Sequence, residues 1–220
     1  LCFESENSLS KIYCYVSDSW MGILSEGAGG SPTTQQQDVA VGRFPVSTPE
    51  EAKIMVDKTI NYMENANAGS WQNTLVFMAD DGNDNLHMKD ADEVANYIAD
   101  KYPDFQIKKV MWDAYQRTTS SVGNSYPEVT RIIKEQQANG ALIMDYAGHA
   151  SAGQLSHEQV VKLMDFNNFK NTNLPLWVTA ACDVMPYDGV EDNIGEAAVL
   201  NPNGGACLLY TSPSPRDRTR

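Results

Sequence analysis

Short apolar runs bounded by Gly, Pro or Asx residues alternate along this chain with longer stretches whose apolar residues recur at helical spacing. Residues 74–79 (Thr-Leu-Val-Phe-Met-Ala), 105–111, 141–146 and 174–181 read as strands. The last two read as buried parallel strands, because each is short and a helix-like segment separates them. Residues 11–16 and 38–43 predict two more strands nearer the start. Thr48-Pro49-Glu50-Glu51 predicts a helix start, with an N-cap, Pro at the first helical position and Glu closing a capping box. Ala52, Met55, Val56, Ile60 and Met63 then share one face. A second helix carries Ala91, Val94, Ala95 and Ile98 and ends at Tyr102-Pro103. A third runs from Pro127 to Asn139-Gly140 with Val129, Ile132 and Ile133 inward. Residues 156–164 predict the crossover helix between the last two strands and 195–200 a final short helix, while 25–37 and 113–126 read as loops. This alternation implies an α/β fold, a mostly parallel sheet flanked by helices on both faces.

The pattern also places chemistry. Residues 141–146 run through Ala147 and Gly148 into His149, and residues 174–181 run into Cys182. If the two are parallel neighbours, both side chains emerge at the carboxyl edge of the sheet, where open α/β sheets build their sites. A thiol beside an imidazole there reads as a nucleophile with its base; the plain alternative is a buried structural thiol and a core histidine. Gly148 and Ala150, among other small residues around His149, let a substrate backbone approach. Asp80 ends the strand 74–79 on the same edge and is placed to orient the imidazole, with Asp81 as its substitute. Asp81, Asn83 and Asp84 read equally well as an Asx turn or as oxygen ligands for a structural calcium, although the spacing is not that of an EF-hand. Glu196 either lines the pocket or complements a helix N-terminus. His157 reads as an exposed helical residue, and His87 has no obvious partner. The chemistry requires no cofactor.

Composition narrows the partners. With 42% hydrophobic residues over 220 positions, the chain buries a substantial core. A formal charge of −13 repels nucleic acid and anionic membrane surfaces. The four Cys, at 2, 14, 182 and 207, lack zinc spacing. No apolar run approaches a membrane span, and residues 1–4 lack signal-peptide character. The chain reads as the middle of a larger protein, its residues 1–206 forming part of a catalytic domain. Its last stretch changes character: one continuous sequencing-library adapter encodes the eleven residues from Cys207 to Asp217 without a mismatch. Residues 207–220 are accordingly expected to be a translation artefact.

Gly148-His149 after an apolar strand, Pro175 to Cys182, Gly195-Glu196 and Asn201-Pro202-Asn203-Gly204-Gly205-Ala206 together resemble the gingipain family of cysteine peptidases, which have the caspase–haemoglobinase type of α/β fold. Within it, residues 38–46, Ala79-Asp80-Asp81-Gly82 and Ser156-His157-Glu158 are more similar to the sortase-type peptidase of the type IX secretion system. The resemblance implies Cys182 as nucleophile, His149 as general base and acid, Asp80 as orienting carboxylate, and an oxyanion hole from the Cys182 N–H and one near Gly148. It implies a cysteine endopeptidase acting through a thioester, with hydrolysis and transpeptidation as alternative outcomes. It further implies secreted cargo as substrate, outer-membrane secretion components as partners, and a cell-surface, extracytoplasmic location. An inactive calcium-binding scaffold of the same fold is the remaining alternative. The family has Gly where this chain has Ala150; a left-handed backbone there would strain Ala by about 1 kcal/mol.

Overall fold

The computed structural model describes residues 18–27, 37–121, 123–187 and 192–211. The chain divides into two compact units, Leu1–Pro45 with Pro213–Arg220, and Val46–Ser212. In the first unit, the strand expected at 11–16 lies outside the described residues. Residues 38–43 do not form a strand. Their polar groups are satisfied locally: the N–H groups of Asp38 and Val39 donate to the Gly22 carbonyl, the Asp38 carboxylate accepts from Leu24 and Ser25, and Arg43 forks onto Asp18 at 2.6 Å.

The second unit carries a five-stranded, wholly parallel sheet. In chain order its elements are α1 (Pro49–Glu64), β1 (Thr74–Ala79), α2 (Gly82–Lys101), β2 (Gln106–Met111), the hairpin β3 (Thr118–Ser120) and β4 (Gly123–Ser125), α3 (Pro127–Asn139) and β5 (Ile143–Ala147). There follow the small antiparallel sheet β6 (Ala150–Ser151), β7 (Gln154–Leu155) and β8 (Val161–Lys162), then α4 (Leu163–Asn168), β9 (Leu176–Ala180), α5 (Ile194–Leu200) and β10 (Leu208–Thr211). The main sheet has the order β10-β9-β5-β1-β2. Chain order reverses between β1 and β5, and at such a switch point the flanking loops diverge and open a crevice beyond the carboxyl ends.

Alternation in β1 sorts the core. Val76 and Met78 face a large cluster that includes Met55 of α1, Val129 and Ile133 of α3, Met144, Phe166 of α4, Trp177 and Ala198 of α5. Leu75, Phe77 and Ala79 face the other way, toward Ala95, Met88 and Ala91 of α2. Both faces are therefore covered. The capping box on α1 forms as read, Thr48 accepting from Glu51 N–H while Glu51 accepts from Thr48 N–H.

The expected α1 face is only partly the buried one. Met55 packs inward, but Val56, Ile60 and Met63 are 45%, 49% and 79% exposed. The helix is turned by Lys58, whose ammonium donates to the carbonyls of Val199, Asn201 and Gly204 at the end of α5, bringing the Met55–Lys58 side against the core. The crossover is also not the expected helix over 156–164. Ser156 and Gln159 have left-handed φ of 60° and 55°, which interrupts a helix, and Val161–Lys162, led by the β-branched Val161, joins the small sheet, leaving only the short α4. The polar stretch 113–126 contains a hairpin, β3–β4, that no apolar alternation marks. Leu208–Thr211 pairs with β9 as an edge strand, its buried Leu209 joining the core; an apolar, β-prone segment fits an open sheet edge whatever encodes it.

Candidate active site

The sheet register brings the candidate residues to one edge. Ala79, Ala147 and Ala180 lie side by side as the last paired residues of β1, β5 and β9. The ladder runs one step further, since Asp80 N–H donates to the Ala147 carbonyl and Gly148 N–H to the Ala180 carbonyl, both at 3.3 Å. His149 and Cys182 therefore each stand two residues beyond aligned partners on strands about 4.8 Å apart. Cys182 is in no disulfide and 3% exposed, and the next residue, Asp183, takes a left-handed φ of 52° that turns the chain sharply away.

Asp80, 2% exposed, is the hub. Its Oδ2 accepts the His149 backbone N–H at 2.7 Å and the Tyr146 hydroxyl at 3.1 Å. Its Oδ1 accepts the Gly82 N–H at 3.2 Å and lies 2.5 Å from Nδ1 of His87. Burial pushes this carboxyl up, but the hydrogen bonds from His87, His149 and Gly82 outweigh it and hold Asp80 below the usual carboxylate range. Asp80 thus grips His149 by its backbone, while the imidazole in contact with the carboxylate belongs to His87. The one hydroxyl proton of the fully buried Tyr146 is shared between Asp80 and the nearer His149 carbonyl at 2.7 Å; burial first, then the Asp80 charge, push its phenol well up, so it remains a donor.

The rings line up beyond this anchor. His87 meets His149 edge-on with centroids 5.0 Å apart, and the exposed His157 stacks on His149 at 4.8 Å. His157 lies in a turn rather than the expected helix. Two glycines make room. A Cβ on Gly82 would stand 2.8 Å from Cδ2 and 3.0 Å from Nε2 of His149; one on Gly148 would stand 2.4 Å from the Tyr146 hydroxyl and 2.7 Å from Cγ of Asp80.

The alternatives for other residues resolve in different ways. Asp81 accepts the Tyr126 hydroxyl at 2.7 Å, away from His149. Asn83 and Asp84, with Asn85, form a left-handed turn at the start of α2, a conformation Asx residues tolerate, and the Asn83 amide meets His87 Nε2 at 2.9 Å. Among the described residues no group of three or more His, Cys, Asp or Glu is arranged to hold a metal ion. Ala150 begins β6 and is not left-handed, so the strain considered for it does not arise. Glu196 sits at the start of α5, its carboxylate accepting from the Asn193 side chain while its N–H donates back to Asn193; burial raises its carboxyl. Sequence reasoning missed His87 and Tyr146. The available signal for His87 was the Asx run before it, which turns the chain back toward the strand end.

The profile of peptidase family C25 matches residues 5–215. The chain belongs to peptidase family C25, the gingipain family. Its fold is similar to that in the crystal structure of the Arg-specific cysteine proteinase gingipain R (RgpB), at a TM-score of 0.62 and 17% identity over 86% of this chain and 44% of that one. The complex of Porphyromonas gingivalis RgpB pro- and mature domains gives 0.56 and 18% over 79% of this chain and 40% of that one. A further structure, described only as a protease, gives 0.56 and 14% over 76% and 35%. This C25 chain thus spans less than half the length of the solved relatives it matches. No curated protein sequence matches it. No helix among the described residues is long and apolar enough to cross a membrane.

Proposed function

We propose that this C25 chain carries the acyl-transfer centre of a cysteine endopeptidase, with Cys182 as nucleophile and His149 as general base and acid. The observation that carries the reading is the register, which aligns His149 and Cys182 two residues past paired alanines at the carboxyl edge of the sheet, His149 bordering the β1–β5 switch point. The His149 imidazole takes the proton from Sγ. The thiolate adds to the scissile carbonyl, and the resulting oxyanion is met by the Cys182 N–H with a second donor near Gly148. The imidazolium then returns the proton to the leaving amine, leaving a thioester. Asp80 keeps the base in place through its backbone.

The finer reading is sortase-like: an amine, rather than water, resolves the thioester of a secreted cargo protein at the cell surface. Its support is the resemblance of residues 38–46, Ala79-Asp80-Asp81-Gly82 and Ser156-His157-Glu158 to the sortase-type enzyme of the type IX secretion system. Gingipain-like hydrolysis shares every step up to the thioester, so product analysis with and without an amine acceptor separates the two: an amine adduct marks transpeptidation, free acid alone marks hydrolysis.

A thiol only 3% exposed is also what an inert structural Cys presents. The deciding experiment is therefore labelling by a peptide with a thiol-reactive warhead. The chain is expected to be labelled at Cys182, and Cys182→Ala to lose both labelling and peptide turnover while melting as the parent does. Absence of label at Cys182 in the parent overturns the reading.

A further inference from the structure

We propose that His87 is a positioning residue of this site: its imidazole, held between the Asn83 amide and the Asp80 carboxylate, fixes the carboxylate that anchors His149 beside Cys182. The inference rests on the reading of His149 and Cys182 as base and nucleophile. All three histidines of the chain come together here, although the sequence separates them widely.

The contacts place both ring nitrogens of His87. Nε2 meets the Asn83 side-chain amide at 2.9 Å and Nδ1 faces the Asp80 carboxylate. The ionised Asp80 carboxylate can only accept, so Nδ1 carries a proton and donates it to Oδ1, a charge-assisted bond. With Gly82 N–H on the same oxygen and His149 N–H on the other, the acceptor positions of the carboxylate are taken up by three N–H donors and a share of the one Tyr146 proton, which lies closer to the His149 carbonyl. Removing the His87 donor empties one of them in a nearly dry setting, and the carboxylate is then free to rotate or to take up a proton. Either change loosens its hold on the His149 N–H.

The backbone is shaped for this contact. Three consecutive left-handed residues, Asn83 to Asn85, fold the chain so that residue 87 returns to residue 80; such conformations persist only where the surroundings enforce them. The other titratable groups on this cluster are Asp80 at the end of β1, Tyr146 at the end of β5, His157 stacked on His149, Glu158 beside Tyr146 and Tyr126, and Asp81 under Tyr126.

The test is the pH profile of Cys182 alkylation by iodoacetamide, followed on the Cys182 peptide by mass spectrometry, in the parent chain, His87→Phe and His87→Asn. The parent is expected to alkylate with a midpoint well below the free-thiol value of about 8.5. His87→Phe keeps a ring but no donor and is expected to shift the midpoint upward by about one unit, a tenfold loss of rate below the midpoint. His87→Asn, with an N–H near the Nδ1 position, is expected to recover most of that loss. An unchanged profile in His87→Phe, or equal shifts in both variants, overturns the role assigned to His87. A parent midpoint near 8.5 instead overturns the reading of Cys182 and His149 beneath it. Should His87→Phe fail to fold, nitrogen NMR on the unaltered, histidine-labelled chain decides. A ring that carries a proton at Nδ1 supports the proposal, and one protonated only at Nε2 overturns it.

Discussion

Gly82→Ala separates the geometry of the site from the stability of the fold. The new Cβ would meet Cδ2 of His149 at 2.8 Å, its Nε2 at 3.0 Å and Oδ1 of Asp80 at 3.1 Å, whereas ordinary carbon contacts begin near about 3.5 Å. The imidazole must therefore retreat by roughly 0.7 Å, and the half-buried ring has room to move without disturbing the core. Gly82 is not among the left-handed residues, so alanine adds no backbone strain. The expected loss of stability is about 1 kcal/mol, the low end of overpacking. The chemical effect is larger. A misplacement of about 1 Å costs on the order of 100-fold in turnover, and a thiol left to its own pKa of about 8.5 is only ~3% ionised at pH 7, which caps the fall in alkylation at about 30-fold. Iodoacetamide alkylation of Cys182 at pH 7, peptide turnover and a melting curve measure all three. Gly153→Ala, whose Cβ meets nothing within 4 Å, is the control. Parent-like alkylation and turnover in Gly82→Ala would refute the argument that His149 acts from the position it occupies against residue 82.

Two further expectations concern stability. Gly148→Ala drives a methyl into the Tyr146 hydroxyl and Asp80, neither of which can yield, and is expected to cost about 3 kcal/mol, read by denaturant unfolding; a loss under about 1 kcal/mol counts against the rigid anchor. Asp145, within β5, has its carboxyl raised by burial to about 6. Its folded state binds the proton more tightly than the unfolded chain, so its contribution is harmless below about pH 4 and increasingly unfavourable as pH rises to about 6, up to roughly 2–3 kcal/mol at pH 7. Asp145→Asn is expected to melt higher than the parent at pH 7 and equally at pH 4; the opposite ordering at pH 7 refutes it.

The parallel strands were legible because burial on both faces leaves short, nearly uninterrupted apolar runs, and residues 74–79 match β1 at both ends. The helix starts with local signatures were legible too, since Thr48-Pro49 and Pro127 act through their own backbone. What failed depended on partners distant in sequence or on unmarked backbone conformations. The orientation of α1 is set by Lys58 reaching residues more than 140 positions away, which no local periodicity encodes. The small sheet over residues 150–162 rests on left-handed Ser156 and Gln159, residues with no strong preference for that region. At the site, the alignment of His149 with Cys182 followed from strand ends alone. The division of Asp80 between the His149 backbone and the His87 ring did not, because alternation gives a residue its edge of the sheet but not its hydrogen-bonding partner.

The ladder that aligns Asp80, His149 and Cys182 also makes the centre latent until the chain has folded. Its anchor contact joins residues 69 positions apart, and it exists only when β1, β5 and β9 have paired in one register. A slip of a single residue would turn His149 or Cys182 to the opposite face. Parallel pairings of this range are late and slow events in folding, so an emerging or misregistered chain holds a thiol and an imidazole but no reagent made from them. On the proposed reading, the acyl-transfer chemistry therefore becomes available only after the chain has ceased to be unfolded.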